Sequence, residues 1–251
     1  MGILSGIFRR DPKAQQDTKA AMKLARRQKV DAPTGAASAS TGKSGNRVTK
    51  LVESFRDIGL NGKAGYASAE TVARKAAGRN ASARRQEKAI RKVIASHRRG
   101  ITAAGFATGL GGLFTLPVLL PANIFEFYVQ ATRMSGAIAA IRGYDVKDEE
   151  VRARVLATLV GDDAGNVLDG LGLGPVAGAA GREVSKRITA TPTGAVASAI
   201  GSRIIRRFTL RSARLFGKAV PGAGAIIGAM MDRRLLAKIA EAAKREFPPQ
   251  A

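Results

Sequence analysis

An all-α fold is predicted by three observations. No stretch of useful length alternates apolar and polar residues with the period of two that a half-buried strand needs. Apolar residues recur instead at helical spacing, as in Val48, Leu51, Val52 and Phe55. Gly, Pro and Asp punctuate these runs where helices stop and start. The predicted architecture is a helical bundle with Gly/Pro-broken apolar helices, preceded by a flexible basic N-terminal extension.

Composition narrows the function classes. The chain has 251 residues, 42 Lys+Arg against 19 Asp+Glu, a net charge of +23, no Cys, no Trp and one His. No disulfide framework, Cys zinc site or multi-His metal site can form, and neither a cofactor nor a metal is expected. Any Ser-His-Asp relay is confined to His97. The first 100 residues hold 23 basic and 7 acidic residues, a net of +16, and the remainder carry +7. Such a segment attracts polyanions, either nucleic acid or an anionic membrane face.

In chain order, Ile3, Leu4, Ile7 and Phe8 precede Arg9 and Arg10, the reverse of a secretory signal, so a cytoplasmic protein is expected. Residues 1–46 read as a basic tail, with a helix from Lys13 to Val30 and a Gly/Ser/Ala linker from Asp31 to Gly45. Gly42-Lys43-Ser44 is no P-loop, because Ala37 occupies the first Gly position and no buried strand precedes it. Residues 47–83 read as a helical extension, with Gly59 as a helix stop. The main helical domain spans 84–249. It opens with a long basic helix from Ser82 to Arg99, whose apolar stripe is Ala89, Ile90, Val93 and Ile94. Arg84, Arg85, Lys88, Arg91, Lys92, Arg98 and Arg99 cover much of the rest, and His97 reads as a helix-end imidazole favoured by the dipole.

From Ile101 to Phe125 no residue is charged. That length suffices for a bilayer, but Gly105, Gly109, Gly111 and Gly112 dilute the apolarity. A break is expected at Pro117–Pro121, then a helix from Asn123 to about Ile141. Buried or half-inserted helices are the expectation rather than a span. Asp145 or Asp148 caps a helix running to Val160, with Gly161 at its C′ position. Gly170 to Gly178 lacks the spacing and preceding strand of a dinucleotide loop, and reads as an inter-helix loop. From Ala195 to Lys218 a helix places Arg203, Arg207, Arg211, Arg214 and Lys218 on one stripe beside Ile200, Ile204, Ile205, Phe208 and Leu215. A second apolar run, Leu215 to Met231, interrupted only by Lys218, precedes a last helix from Leu235 to Phe247.

Several motifs occur together in order. They are His97, then Gly105-Phe-Ala-Thr-Gly109-Leu-Gly-Gly112-Leu-Phe-Thr-Leu-Pro117-Val-Leu-Leu-Pro121-Ala-Asn, then Tyr128, Arg133 and Ile138-Ala-Ala-Ile-Arg-Gly-Tyr-Asp145. Val220-Pro-Gly-Ala-Gly-Ala-Ile-Ile-Gly228 follows, leading to Asp232. Over about residues 85–248 the chain resembles the EcsC family of bacterial proteins, named after the third member of an operon that otherwise encodes an ABC transporter. The resemblance implies a helical, membrane-associated accessory protein with no established activity, and offers no catalytic residues.

The expected function is therefore a membrane-associated accessory protein, peripheral or partly inserted at the inner face of the plasma membrane. Arg203, Arg207, Arg211, Arg214 and Lys218 would bind the anionic membrane lipid. A groove for an apolar ligand would have Gly105, Gly109, Gly112, Pro117 and Pro121 as its wall and Glu126, Arg133, Arg142 and Asp145 as its polar groups. A membrane protein such as a transporter is a further expected partner. The alternative is a nucleic-acid-binding protein using the basic N-terminal region. A hydrolase of unknown type is the lesser alternative: Glu126, Asp145, Asp162, Asp163 and Asp232 are available acids, with capping or arginine pairing as the plainer role of each.

Overall fold

The computed structural model describes residues 43–63, 65–78, 82–109, 116–174, 191–216 and 223–250. The expected tail and linker fall almost wholly outside these, as do Gly112 and Lys218. Among the described residues the fold is all-helical, with eight α-helices and no strand. They are α1 (Lys43–Asn61), α2 (Ala69–Ala77), α3 (Ala83–Gly109), α4 (Leu116–Ile141), α5 (Glu149–Thr158), α6 (Ala164–Gly170), α7 (Pro192–Phe216) and α8 (Ala223–Glu246). A single 3₁₀ turn, Gly161–Asp163, joins α5 to α6.

Local chemistry explains the helix ends. Asp148 caps α5, its Oδ1 accepting the N–H groups of Glu150 (2.8 Å) and Val151 (3.1 Å). Gly161, with φ at 68°, takes the left-handed position after α5. Gly59 does not end α1. The helix continues to Asn61, and Gly62 (φ 77°) supplies the left-handed residue. Gly59 instead marks where α1 and α4 touch: a Cβ there would lie 2.9 Å from both Thr132 Cβ and the Val129 carbonyl oxygen. The glycine answers to the neighbouring helix rather than to the chain's direction.

Three further boundaries differ from expectation. The break at Pro117–Pro121 is absent, because α4 begins at Leu116 and runs unbroken to Ile141. Pro117 lies in the first turn, where its missing N–H has no intrahelical partner to lose, and Pro121 costs the helix one hydrogen bond. The apolar run before Met231 and the last helix are one helix, α8. Likewise α3 continues past Arg99 into the uncharged stretch as far as Gly109.

The core forms around α4. Every residue from Phe127 to Ala139 is buried, polar Gln130, Thr132, Arg133 and Ser135 among them, so this part of α4 is enclosed on all sides. Helices α1, α2, α3, α5 and α8 pack around it. The segment read as an extension contributes Val52, Phe55, Leu60, Ala69 and Ala73 to this same core. Phe55 stacks on Tyr128 (centroids 5.3 Å apart) and meets Phe125 edge-on at 5.2 Å.

Side-chain contacts set the directions of the helices. Arg133 of α4 meets His97 of α3, and Arg142 meets Glu87, so α3 and α4 are antiparallel. Phe247, just past α8, packs on Tyr144, just past α4, so these two helices end together. It follows that the end of α3 and the starts of α4 and α8 gather at one end of the bundle. In sequence these parts are 101–109, 116–125 and 223–231, and none holds a charged residue. Thr193 of α7 donates to Glu149 at the start of α5, while Gly201 abuts Val48 in the early turns of α1. The remainder of α7 therefore runs towards that same uncharged end. Among the described residues no helix is long and apolar enough to cross a membrane.

Candidate functional site

Three groups of polar side chains stand out, and two are buried. The first joins α3 to α4. His97 is 3% exposed, although a helix-end imidazole was expected, because α3 continues for three further turns beyond it. Its Nδ1 lies 2.9 Å from the Val93 carbonyl oxygen, and its Nε2 lies 3.4 Å from Arg133 Nε. A carbonyl can only accept and a guanidinium can only donate, so Nδ1 carries the proton and Nε2 accepts. Burial, and then the positive charge of Arg133, push the imidazole pKa down to about 3, against the opposing pull of the Val93 carbonyl.

Arg133 is itself buried. Its Nη2 donates to Gln130 Oε1, and its guanidinium carbon lies 5.2 Å from the centre of the Tyr66 ring. Its close partners are thus an imidazole, an amide and a ring. Burial lowers its pKa, while Tyr66 and half-buried Glu126 favour the charged form. An arginine keeps its proton regardless, so the neutral histidine is what makes this cluster tolerable.

This arrangement has a testable consequence. His97 is the chain's one histidine, so its ring gives a single set of NMR signals. Between pH 8 and 5 these should stay at the neutral, Nδ1-protonated position. The unfolded state takes up a proton below its ordinary pKa of 6.5 and the native state does not. This group's contribution to stability is therefore complete above pH 6.5 and falls by roughly 1.4 kcal/mol per pH unit as pH drops towards 3. His97→Gln should make the urea midpoint less sensitive to pH between 7 and 5. A ring that titrates near pH 6.5 in the native protein would refute the assignment.

The second group centres on Arg154 of α5, which is 1% exposed. Its Nε and Nη2 donate to Glu150 Oε1 at 3.0 and 2.6 Å, Nη2 also donates to the Gly174 carbonyl at 2.7 Å, and Nη1 donates to Glu246 Oε1. Burial lifts the Glu246 carboxyl above the usual range, although Arg154 pulls it down. Arg154 and Glu246 line a cleft of about 690 Å³ between α5, α6 and the end of α8, with Asp162, Asp169, Leu168 and Leu173 also on its walls. Sequence reasoning missed Arg154. The available signal was Glu150 four residues before it on the same helix.

The third group is a surface. From Arg84 to Arg99 the exposed residues of α3 are Arg84, Arg85, Lys88, Arg91, Lys92, Ala95 and Arg99. The lipid stripe expected on α7 is described only in part: Arg203 is exposed and Ile200 and Ile204 are buried, as an amphipathic helix requires. Arg207, Arg211 and Arg214 lie on the last turns of α7, and their side chains are outside the described set, with Lys218.

The expected polar groups of the groove divide in two. Glu126 and Arg133 share a neighbourhood. Arg142 lies at the far end of α4, buried and paired with Glu87, and Asp145 is exposed with its Oδ1 accepting the Lys147 N–H at 2.9 Å. Gly105 and Gly109 fall on the last turns of α3, and Pro117 and Pro121 on the first turns of α4. None of these residues lines the cleft at Arg154. Among the described residues no cluster of three or more His, Asp or Glu is placed to hold a metal ion.

The class defined by fold and surface is a strongly basic, all-α bundle with buried arginines at its helix contacts. The chain belongs to the EcsC protein family, whose profile matches residues 42–248. The match takes in α1 and α2 as well as the 85–248 region that carries the motifs. No match is found among curated proteins or among solved structures.

Proposed function

We propose that this protein is a membrane-associated accessory protein that docks on anionic lipid at the cytoplasmic face and offers its uncharged end to an apolar ligand or to a membrane protein such as a transporter. The observation that carries this reading is the gathering of three uncharged helix parts, 101–109, 116–125 and 223–231, at one end of the bundle. The arginine-rich end of α7 runs towards the same place. Helix ends without charge cost little to bring against lipid. Each Lys or Arg close to an anionic surface adds about 1 kcal/mol, so a handful hold a protein there without a spanning segment.

Co-flotation with vesicles tests the reading. The full chain should float with phosphatidylglycerol-rich vesicles at low salt, much less at high salt, and far less with phosphatidylcholine alone. Failure to float with either lipid at low salt would overturn it.

A further inference from the structure

We infer that the exposed face of α3 is the electrostatic docking face for the anionic bilayer, and that the bundle lies with α3 along the lipid surface rather than standing on its uncharged end. This inference rests on the membrane reading above and adds the residues and the orientation to it.

The argument starts from the helix wheel. At 100° per residue, Arg84, Arg85, Lys88, Arg91, Lys92 and Arg99 fall within a sector of about 120°, shared only with Ala95. The opposite side of the helix, with Ala89, Ile90, Val93, Ser96, His97 and Ile101, is buried against the bundle. None of the six cations forms an ion pair with a described residue. The nearest acid on the helix, Glu87, lies outside the sector and is taken by Arg142. Such a row of like charges repels itself, and an opposing negative surface relieves that repulsion.

Orientation follows from length. Arg84 and Arg99 are separated by about 22 Å along the axis. The field of a charged membrane decays over about 10 Å at ordinary salt. With α3 upright on its uncharged end, only the Arg99 end of the row would feel the lipid. With α3 lying along the surface, all six do.

The same features choose lipid over other polyanions. Beyond Arg99 the helix continues, uncharged, to Gly109. A basic stretch leading into an uncharged one on a single helix suits the interface between headgroups and acyl chains. A nucleic acid would gain nothing from the uncharged part, and the row holds no aromatic ring for bases to stack on. An acidic protein partner would find no apolar seam, since Ala95 is the row's one apolar residue.

The test uses the full chain. A variant with Arg84→Gln, Arg85→Gln, Lys88→Gln, Arg91→Gln and Lys92→Gln should melt no lower than wild type, because these side chains are exposed and their mutual repulsion is removed. It should bind phosphatidylglycerol-rich vesicles on the order of 10³–10⁴-fold more weakly. The chain has no Cys, so Arg84→Cys and Ala95→Cys, both within the sector, each accept a single fluorescent label. Both labels should become shielded from a water-soluble quencher on vesicle binding. Shielding at Ala95 but not at Arg84, or at neither position while the protein still floats, would mean an upright helix and would overturn the orientation. Equal flotation of wild type and variant would overturn the docking face and leave the membrane reading standing. A wild type that ignores every vesicle yet binds a DNA duplex, with that binding lost in the variant, would overturn both readings and assign the face to nucleic acid.

Discussion

Replacing Arg154 with Ala is expected to lower stability by about 3–5 kcal/mol, because one partner of a buried ion network is removed and the others stay. The guanidinium joins Glu150, Glu246 and the Gly174 carbonyl, and so ties α5 to the end of α8 and to the chain beyond α6. Without it, Glu246 remains largely buried with its charge unopposed. Burial already lifts its pKa, and losing Arg154 removes the group that opposes the lift. The sign of the pH dependence follows. A carboxyl with a raised folded pKa is favoured while protonated, so the penalty should shrink as pH falls and grow as pH rises through that raised value. Urea unfolding of wild type and variant at several pH values measures both effects. Adding Glu246→Gln to Arg154→Ala should recover part of the loss. A loss below about 1 kcal/mol at neutral pH would mean that the network is not formed.

Phe55→Ala is expected to cost about 3–5 kcal/mol, as for other fully buried aromatic truncations. Phe55 is 0% exposed and lies between Phe125 and Tyr128 of α4. The experiment also asks how α1 belongs to the bundle. If α1 is part of one cooperative core, circular dichroism should show a single transition moved to lower denaturant concentration. If α1 were only an appendage, the transition of the remaining helices would not move. Leu60 and Gly136 argue for the first outcome: a Cβ at Gly136 would lie 2.3 Å from Leu60 Cδ2, so the two helices are in close contact there.

The helical class was legible because the evidence for it is local. Apolar spacing around Phe55 and Val93, and the Asp148 cap with Gly161 beyond it, each depend on residues within a few turns. Boundaries were less legible where a residue answers to a distant one. Gly59 resembles a stop in sequence, and its purpose is visible only when Thr132 of α4 is placed against it. Pro117 resembles a break, but a proline in a first turn ends nothing. Arg133 and Glu126 were singled out from sequence, as polar groups of a groove, because a charge beside an uncharged run is conspicuous. Arg154 was not, because its second carboxylate, Glu246, lies 92 residues away.

Sequence by itself determined that this protein is helical, that its positive charge is concentrated in its first hundred residues, and that the stretch from Ile101 to Phe125 carries no charge. Periodicity and composition are properties of short segments and need no partner to be expressed. Only the tertiary structure decided which charges are hidden and which face outwards. His97, Arg133 and Arg154 are buried, while six cations of α3 point away from the core. The reason is that burial depends on which helix faces meet, and those contacts join residues far apart in the chain. The gathering of the uncharged helix parts has the same origin, since antiparallel packing of α3 with α4 and the shared end of α4 and α8 bring 101–109, 116–125 and 223–231 to one end.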